Sequence, residues 1–129
     1  MRSYTKTANG GWLVRACDKL WRQMILLRSK GACEMCGISK PKQPGGILWI
    51  QAAHIIGRAY WFLRWHPKNG LGICQDCHVD YKITEWLDEN DPERLAWLRE
   101  MKNRNIPQRA VELQQVYNKL LPTVDIGEY

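Results

Sequence analysis

Two Cys-x-x-Cys pairs constrain the fold of this chain more than any other feature of its sequence. The pairs are Cys33-Glu-Met-Cys36 and Cys74-Gln-Asp-Cys77. A tight turn presents two thiolates at this spacing, and four thiolates from two such turns suit a tetrahedral zinc ion. The sequence therefore predicts a structural zinc site formed by Cys33, Cys36, Cys74 and Cys77, which would hold a loop-rich segment as one rigid unit.

The use of cysteine also indicates the compartment. Five cysteines arranged as two close pairs plus Cys17 are better explained by zinc thiolates in a reducing compartment than by disulfides. No apolar run approaches the length of a membrane span, and the N-terminus lacks the apolar block of a signal peptide. We expect an intracellular, cytoplasmic protein. Cys17 falls on the apolar stripe of a predicted helix, so we interpret it as a core residue.

The charge of the chain is unevenly distributed. Residues 1–68 carry 12 Lys and Arg against two Asp and Glu, a net charge of +10, whereas residues 69–129 carry seven against 11, a net charge of −4. A basic N-terminal half favours a polyanionic partner, because neutralising phosphates releases counterions. A solvated basic surface would give the same pattern, so charge alone does not choose between the two.

The 129 residues, 45% hydrophobic with seven Trp, suit one domain. We predict a small α+β fold with the two knuckles in its core. It divides into a flexible arm at 1–10, a basic amphipathic helix at 11–30, the zinc core at 31–90, C-terminal helices at 91–121 and a tail at 122–129.

The first helix has apolar and basic faces at helical spacing. Its predicted apolar positions are Leu13, Cys17, Leu20, Met24 and Leu27. Its predicted basic face, which would contact duplex backbone without reading sequence, is Arg15, Lys19 and Arg22.

The pattern of the core is more irregular. Ile47–Ile50 predicts a strand that leads to His54, and glycines and Pro67 within 57–72 predict an ordered loop. The predicted helices run from His78 to Glu89, from Asp91-Pro92-Glu93 to about Asn103, and from Ile106-Pro107 to a stop at Pro122. The last of these would bury Ala110, Leu113, Tyr117 and Leu120.

Three residues between or beside the knuckles are candidates for chemistry. His54 alone would suit a hydrogen-bonded core histidine, Asn69 before Gly70 a turn residue, and His78 after Cys77 a spare zinc ligand or helix start. Their combination with two knuckles is hard to obtain by chance.

The set Cys33-x-x-Cys36, Ala53-His54, Asn69 and Cys74-x-x-Cys77-His78 resembles the zinc-knuckle branch of the HNH endonuclease superfamily, which has a ββα-metal core. A closer resemblance, to the NinG (Rap) recombination nucleases of lambdoid phages, extends to about Arg104. It includes Asp18-Lys-Leu-Trp21, Leu27-Arg28, Gln51-Ala-Ala-His54 with Arg58, and Leu63-Arg64-Trp65.

This resemblance implies specific roles. His54 would be the general base, Asn69 would orient it through a hydrogen bond, and His78 would bind a catalytic Mg²⁺ or Mn²⁺ ion. The implied activity is cleavage of branched DNA such as D-loops or Holliday junctions by a phage or mobile-element protein. Symmetric cutting of a junction would need a homodimer, for which the C-terminal helices are available.

The chain departs from many HNH enzymes at Ala53, which stands where they carry a metal-binding Asp or His. NinG-like sequences also have a small residue there, and commonly Asn in place of His78. We expect the ion to be held by His78, DNA phosphate and water, with Asp80 or Gln51 as further candidates.

Arg58 and Arg64 are candidate phosphate clamps, although ordinary surface arginines fit the sequence equally well. Trp61, Phe62 and Trp65 could stack on unpaired bases, but local core is the preferred interpretation. We assign no role to His66.

Two other functions fit the sequence. One is a non-catalytic zinc-finger module that binds nucleic acid, for which Ala53 is the best support. The other is a sequence-specific restriction or homing nuclease with the same core.

Overall fold

The computed structural model describes residues 11–39 and 50–125. In this part of the chain, five α-helices surround one two-stranded antiparallel sheet, so the expected α+β class is confirmed. The elements are α1 (Gly11–Ser29), β1 (Ile50–His54), α2 (Trp61–Arg64), β2 (Gly70–Cys74), α3 (Asp80–Asn90), α4 (Pro92–Arg104) and α5 (Leu113–Asp125). The predicted arm at 1–10, the loop before β1, residues 47–49 of the predicted strand and residues 126–129 of the tail lie outside the described residues.

Helix α1 is amphipathic, and the predicted core positions Cys17, Leu20 and Met24 are buried. It ends where Lys30 and Gly31 adopt positive φ angles of 55° and 81°. Leu27 was predicted to be buried and is 41% exposed. The buried side chains are Val14, Cys17, Leu20, Trp21, Met24, Ile25 and Ser29.

The sheet is covered by helices on both faces. Leu71 and Ile73 of β2 lie with Ala53 of β1 in a buried cluster that includes Ile83 of α3 and Leu95 of α4. Full burial of a Leu or Ile side chain contributes roughly 1.5–3 kcal/mol, so this face stabilises the sheet substantially. The other face meets α1, and it carries His54, which pairs with Gly70.

The prediction that residues 57–72 lack regular structure was wrong, since α2 and the start of β2 lie there. The glycines of β2 suggested a loop, but they are required by packing. A Cβ at Gly70 would collide with the ring of Trp21, and one at Gly72 would lie 2.6 Å from Cβ of Ser29. Glycine in this strand therefore allows α1 to lie directly on the sheet.

The C-terminal helices confirm one prediction and correct two. Asp91 caps α4 by accepting a hydrogen bond from the backbone N–H of Arg94 at 3.2 Å. A helix was predicted to begin at Ile106-Pro107, but a 3₁₀ turn at Gln108–Ala110 precedes α5, and Ala110 is exposed.

Pro122 was predicted to stop α5 but lies inside it. Pro122 is exposed and lies in the last turn. Because proline has no N–H, the carbonyl of Asn118, four residues earlier and also exposed, has no helical partner. That carbonyl can therefore bond to water. Among the described helices, none is both long and apolar enough to cross a membrane.

Candidate metal centre and histidine cleft

The four knuckle cysteines converge on one point. Their sulfur atoms all lie within 4.8 Å of one another, and Sγ of Cys36 is 3.8 Å from Sγ of Cys74. A tetrahedron with Zn–S bonds of about 2.3 Å has edges of about 3.8 Å. The predicted zinc site is therefore supported by distances as well as by spacing, and Cys33, Cys36, Cys74 and Cys77 could hold a zinc ion.

The first knuckle is a tight turn that aims backbone N–H groups at sulfur. The N–H of Cys36 donates to Sγ of Cys33 at 3.4 Å, and Gly37, with φ +81°, closes the turn by donating to the carbonyl of Cys33 at 2.9 Å. Burial by itself raises the pKa of the Cys33 thiol. Hydrogen bonds from the backbone of Cys36, Cys74 and Met35 outweigh this effect and lower that pKa to about 7. The lowered pKa favours the thiolate form of Cys33, which is the form that binds zinc.

The second knuckle joins the sheet to the third helix. Cys74 is the last residue of β2, and a 3₁₀ turn at Gln75–Cys77 brings Cys77 back to the same point. Burial is the main cause that raises the pKa of Cys74 and of Cys77. A divalent cation among the four sulfurs would reverse this shift, because a coordinating thiol is deprotonated.

Glu34, inside the first knuckle, attaches the metal centre to β2. Its backbone N–H donates to the carbonyl of Gly72 at 2.8 Å, and its carboxylate accepts from the N–H of Gly72 at 2.7 Å. Arg28 donates to the same carboxylate at 3.4 Å and to the carbonyl of Gly70 at 2.6 Å. The outer edge of β2 is therefore paired with the knuckle.

A cleft of about 310 Å³ lies beside the metal centre. It is lined by residues of α1, of β1, of the loop after β1 and of the end of the second knuckle. These residues are Asp18, Trp21, Arg22, Ala52, Ala53, His54, Arg58 and His78. Both candidate histidines thus face the same space, together with two arginines.

His54 is held by two contacts that leave one ring nitrogen available. Its ring stacks on Trp21, with centroids 4.0 Å apart and planes 8° from parallel. Its Nε2 lies 2.9 Å from the carbonyl oxygen of Arg64. A carbonyl can only accept, so Nε2 carries the proton and Nδ1 keeps a lone pair.

The pKa of His54 lies below 6.5. Burial is the largest cause of this lowering and Arg58 adds to it, whereas the bond to Arg64 and the charge of Asp18 oppose it. The imidazole is therefore neutral at pH 7, as a general base must be.

His78 also lines the cleft, and one of its ring nitrogens is held by a hydrogen bond. It is exposed, and its Nδ1 lies 2.8 Å from Oε1 of Gln51. The amide oxygen accepts, so Nδ1 donates and Nε2 is left as an acceptor, the form in which histidine ligates a metal. Gln51 thereby orients His78.

Asn69 was predicted to orient His54 through a hydrogen bond, and its side chain instead holds the loop that positions His54. It is fully buried. It accepts from the N–H of Ile56 at 2.7 Å and donates to the carbonyls of Ile56 and Leu63, each at 3.0 Å. Leu63 precedes Arg64, whose carbonyl binds His54, so the effect of Asn69 on the imidazole is indirect.

The remaining predicted residues divide into two groups. Arg22 and Arg58 are exposed and line the cleft, and Arg15 and Lys19 are exposed on α1. Arg64 is different, because its guanidinium donates to Asp18 at 3.1 and 2.8 Å and only 15% of its side chain is exposed. Because its guanidinium is already paired, Arg64 is better suited to supporting the loop than to binding phosphate.

The aromatic residues of the same loop are largely core. Trp61 and Trp65 are buried and pack edge to face, with centroids 5.2 Å apart, while Phe62 is 39% exposed. The indole N–H of Trp65 donates to Asp18 at 2.8 Å. The preferred interpretation as local core is thus confirmed for the two tryptophans.

Sequence reasoning assigned no role in the site to the individual side chains of Asp18, Trp21 and Glu34. Asp18 was a single acid on a basic helix, three positions before Trp21 and four before Arg22. That spacing places all three on one helical face and was the available signal. Comparison of this chain with models of protein families, with curated proteins and with solved structures finds no match in any of the three. Function is therefore inferred from the residues of this chain.

Proposed function

We propose that this chain is a metal-dependent DNA endonuclease of the HNH type, with branched recombination intermediates as its substrates. The observation that carries the proposal is that His54 and His78 open onto one cleft, each with a single ring nitrogen left free. The order of strand, loop, strand and helix around them supports the assignment to a ββα-metal core. The preference for D-loops or Holliday junctions comes from the resemblance to NinG nucleases.

His54 is the general base of the proposed reaction. Its Nδ1 takes a proton from a water molecule, whose oxygen attacks the phosphorus of the scissile phosphodiester. The bond from phosphorus to the leaving oxygen breaks, and that oxygen takes up a proton from solvent. Fixing the tautomer through the carbonyl of Arg64 keeps Nδ1 unprotonated and aimed away from its support.

His78 would be the protein ligand for a catalytic divalent ion, through Nε2. Mg²⁺ or Mn²⁺ held there would stabilise negative charge on the phosphate and on the leaving oxygen. Ala53 is buried and offers no ligand atom, whereas Asp80, two residues after His78 at the start of α3, is exposed. Because Mg²⁺ keeps several waters, such sparse ligation is adequate when DNA phosphate completes the shell.

The arginines of the cleft are the proposed phosphate contacts. Arg22 and Arg58 line the space that holds both histidines, and Arg15 and Lys19 continue the basic surface along α1. Guanidinium groups bind phosphate oxygens in a bidentate fashion, which suits a strand laid across the cleft.

A second candidate is the non-catalytic zinc module, and the absence of a ligand at Ala53 favours it. The test is a cleavage assay with Mg²⁺ or Mn²⁺ on branched, nicked and linear DNA. We expect cleavage near branch points. No cleavage of any substrate by a folded, zinc-loaded protein would favour the binding module, and site-specific cutting of linear duplex would favour a restriction or homing nuclease.

The variant His54→Ala tests the base directly. We expect it to lose roughly 10²- to 10⁴-fold in cleavage rate while it keeps its zinc and its DNA affinity. The matched control is His66→Gln, since His66 lies outside the cleft. Wild-type activity in a pure preparation of His54→Ala would remove His54 as the base.

A further inference from the structure

Trp21 is one of the most completely enclosed side chains next to the cleft. It is only 2% exposed, and its ring lies against the imidazole of His54, nearly parallel to it. Its indole N–H donates to the carbonyl of His66 at 3.0 Å. The ring is therefore fixed at one end by a hydrogen bond while one of its faces meets His54.

The residue opposite His54 in the sheet is a glycine, which leaves space for the indole of Trp21. Gly70 is the residue that pairs with His54 across the sheet. A Cβ there would collide with Trp21 and would lie 2.7 Å from Cδ1 of Ile25. The place of a side chain at Gly70 is thus taken by the indole.

Two constraints together define the orientation of the imidazole. The carbonyl of Arg64 fixes the direction of Nε2, and the indole fixes the plane of the ring. Neither constraint alone would fix both, because a single hydrogen bond permits rotation about its own axis. Nδ1 is consequently aimed in one direction.

Several ionisable groups surround His54, and Trp21 is not one of them. Asp18 and Arg22 approach from α1, Arg58 and His78 line the cleft, and Arg64, whose carbonyl binds Nε2, pairs its guanidinium with Asp18. The indole of Trp21 does not ionise and its N–H is bonded to the carbonyl of His66, so Trp21 can act only through the position and burial of His54.

We propose that Trp21 is a positioning residue for the general base, holding the His54 ring in the plane from which Nδ1 reaches the attacking water. This inference rests on the proposed nuclease function. Misplacing a catalytic group by about 1 Å costs on the order of 10²-fold in rate, so loss of the indole should reduce kcat more than it changes KM for DNA.

The experiment compares Trp21→Leu, Trp21→Phe and Trp12→Phe. Trp12 is on the same helix but is 49% exposed, so Trp12→Phe is the matched control. We expect kcat to fall by roughly 10- to 100-fold in Trp21→Leu and by less in Trp21→Phe, which keeps an aromatic face. Zinc content and thermal unfolding identify the folded fraction of each variant.

A second readout does not depend on activity. In the wild-type protein, the carbon-bound protons of the His54 ring should resonate upfield because of the indole ring current. This shift should disappear in Trp21→Leu and persist in Trp12→Phe. If Trp21→Leu fails to fold, Trp21→Phe is used instead. The expected results are then a change in the upfield shift of the His54 ring protons and a reduced kcat.

Two results would overturn the inference. One is a folded Trp21→Leu with wild-type kcat. The other is loss of activity only in proportion to the unfolded fraction, with the His54 resonances unchanged. If the wild-type protein cuts no DNA, the nuclease proposal fails by itself, and the resonances still report whether the indole holds the imidazole.

Discussion

The zinc centre and the histidine cleft are neighbours, but they are assembled in different ways. Each half of the zinc centre is a turn of four residues, and a metal ion would join the halves directly. The cleft is built from side chains of α1, β1 and the loop after β1, with His78 added from the end of the second knuckle, and packing holds most of them. The comparison teaches that the proposed chemistry can fail while the zinc centre and the fold remain, because the cleft depends on packing, whereas loss of the zinc centre should remove both.

The largest expected effect is loss of the zinc centre. Cys33→Ser should lose zinc and unfold, because zinc binding to such sites supplies roughly 10–16 kcal/mol, comparable with the whole stability of a domain, about 5–15 kcal/mol. Metal analysis and far-ultraviolet circular dichroism measure both outcomes. Cys17→Ala is the control, since Cys17 is equally buried but lies outside the cluster, and it should keep its zinc. A Cys33→Ser protein with native structure and no zinc would contradict the structural role of the site.

The next effect concerns the loop that carries the cleft. Asn69→Ala leaves two backbone carbonyls and one N–H in a buried region without their partner, which should cost about 3 kcal/mol in the free energy of unfolding. Chemical denaturation measures this loss. Zinc content should be unchanged, and cleavage should fall even under conditions where the variant is folded.

The control for this loop is Asn90→Ala. Asn90 also donates to a carbonyl, that of Trp86 at 2.9 Å, but it is exposed, so the expected change is within about 0.5 kcal/mol. Equal losses in the two variants would show that the buried amide of Asn69 has no special structural role.

Sequence reasoning found the zinc ligands because the constraint on them is local. The spacing within Cys33-x-x-Cys36 is set by a single turn, so it is visible in the sequence without knowledge of the fold. The same holds for the start of α4, where Asp91 caps the helix next to Pro92. Both predictions needed only neighbouring residues.

The cleft was predicted in outline only, because its geometry depends on distant residues. His54 and His78 were identified, yet their orienting partners, the carbonyl of Arg64 and the amide of Gln51, follow from packing. Strand β2 was missed for the same reason. Gly70 resembles a loop residue until the position of Trp21 is known.

A smaller effect is the dependence of activity and stability on pH. The folded-state pKa of His54 lies below 6.5, so the unfolded chain binds this proton more readily. The contribution to stability is complete above pH 6.5 and decreases as pH falls from 6.5 to the folded-state pKa, by less than about 1.4 kcal/mol per unit. Because the base must be neutral, the acid limb of the profile of kcat/KM should lie below pH 6.5. Nuclear magnetic resonance titration of His54 checks the assignment, with zinc content measured at each pH, and an acid limb above pH 6.5 would contradict it.

The smallest expected effects distinguish the cleft from the rest of the basic surface. Arg58→Gln and Lys19→Gln should each reduce the slope of log affinity against log salt concentration by about one, because each removes one phosphate contact. Only Arg58 lines the cleft, so only Arg58→Gln should also lower kcat, by roughly tenfold or more, through weaker stabilisation of the transition state. Arg104→Gln is the control, since this exposed residue pairs with Glu100 away from the cleft and should change neither quantity. Equal effects of Arg58→Gln and Lys19→Gln on kcat would mean that the cleft is not where the phosphate reacts.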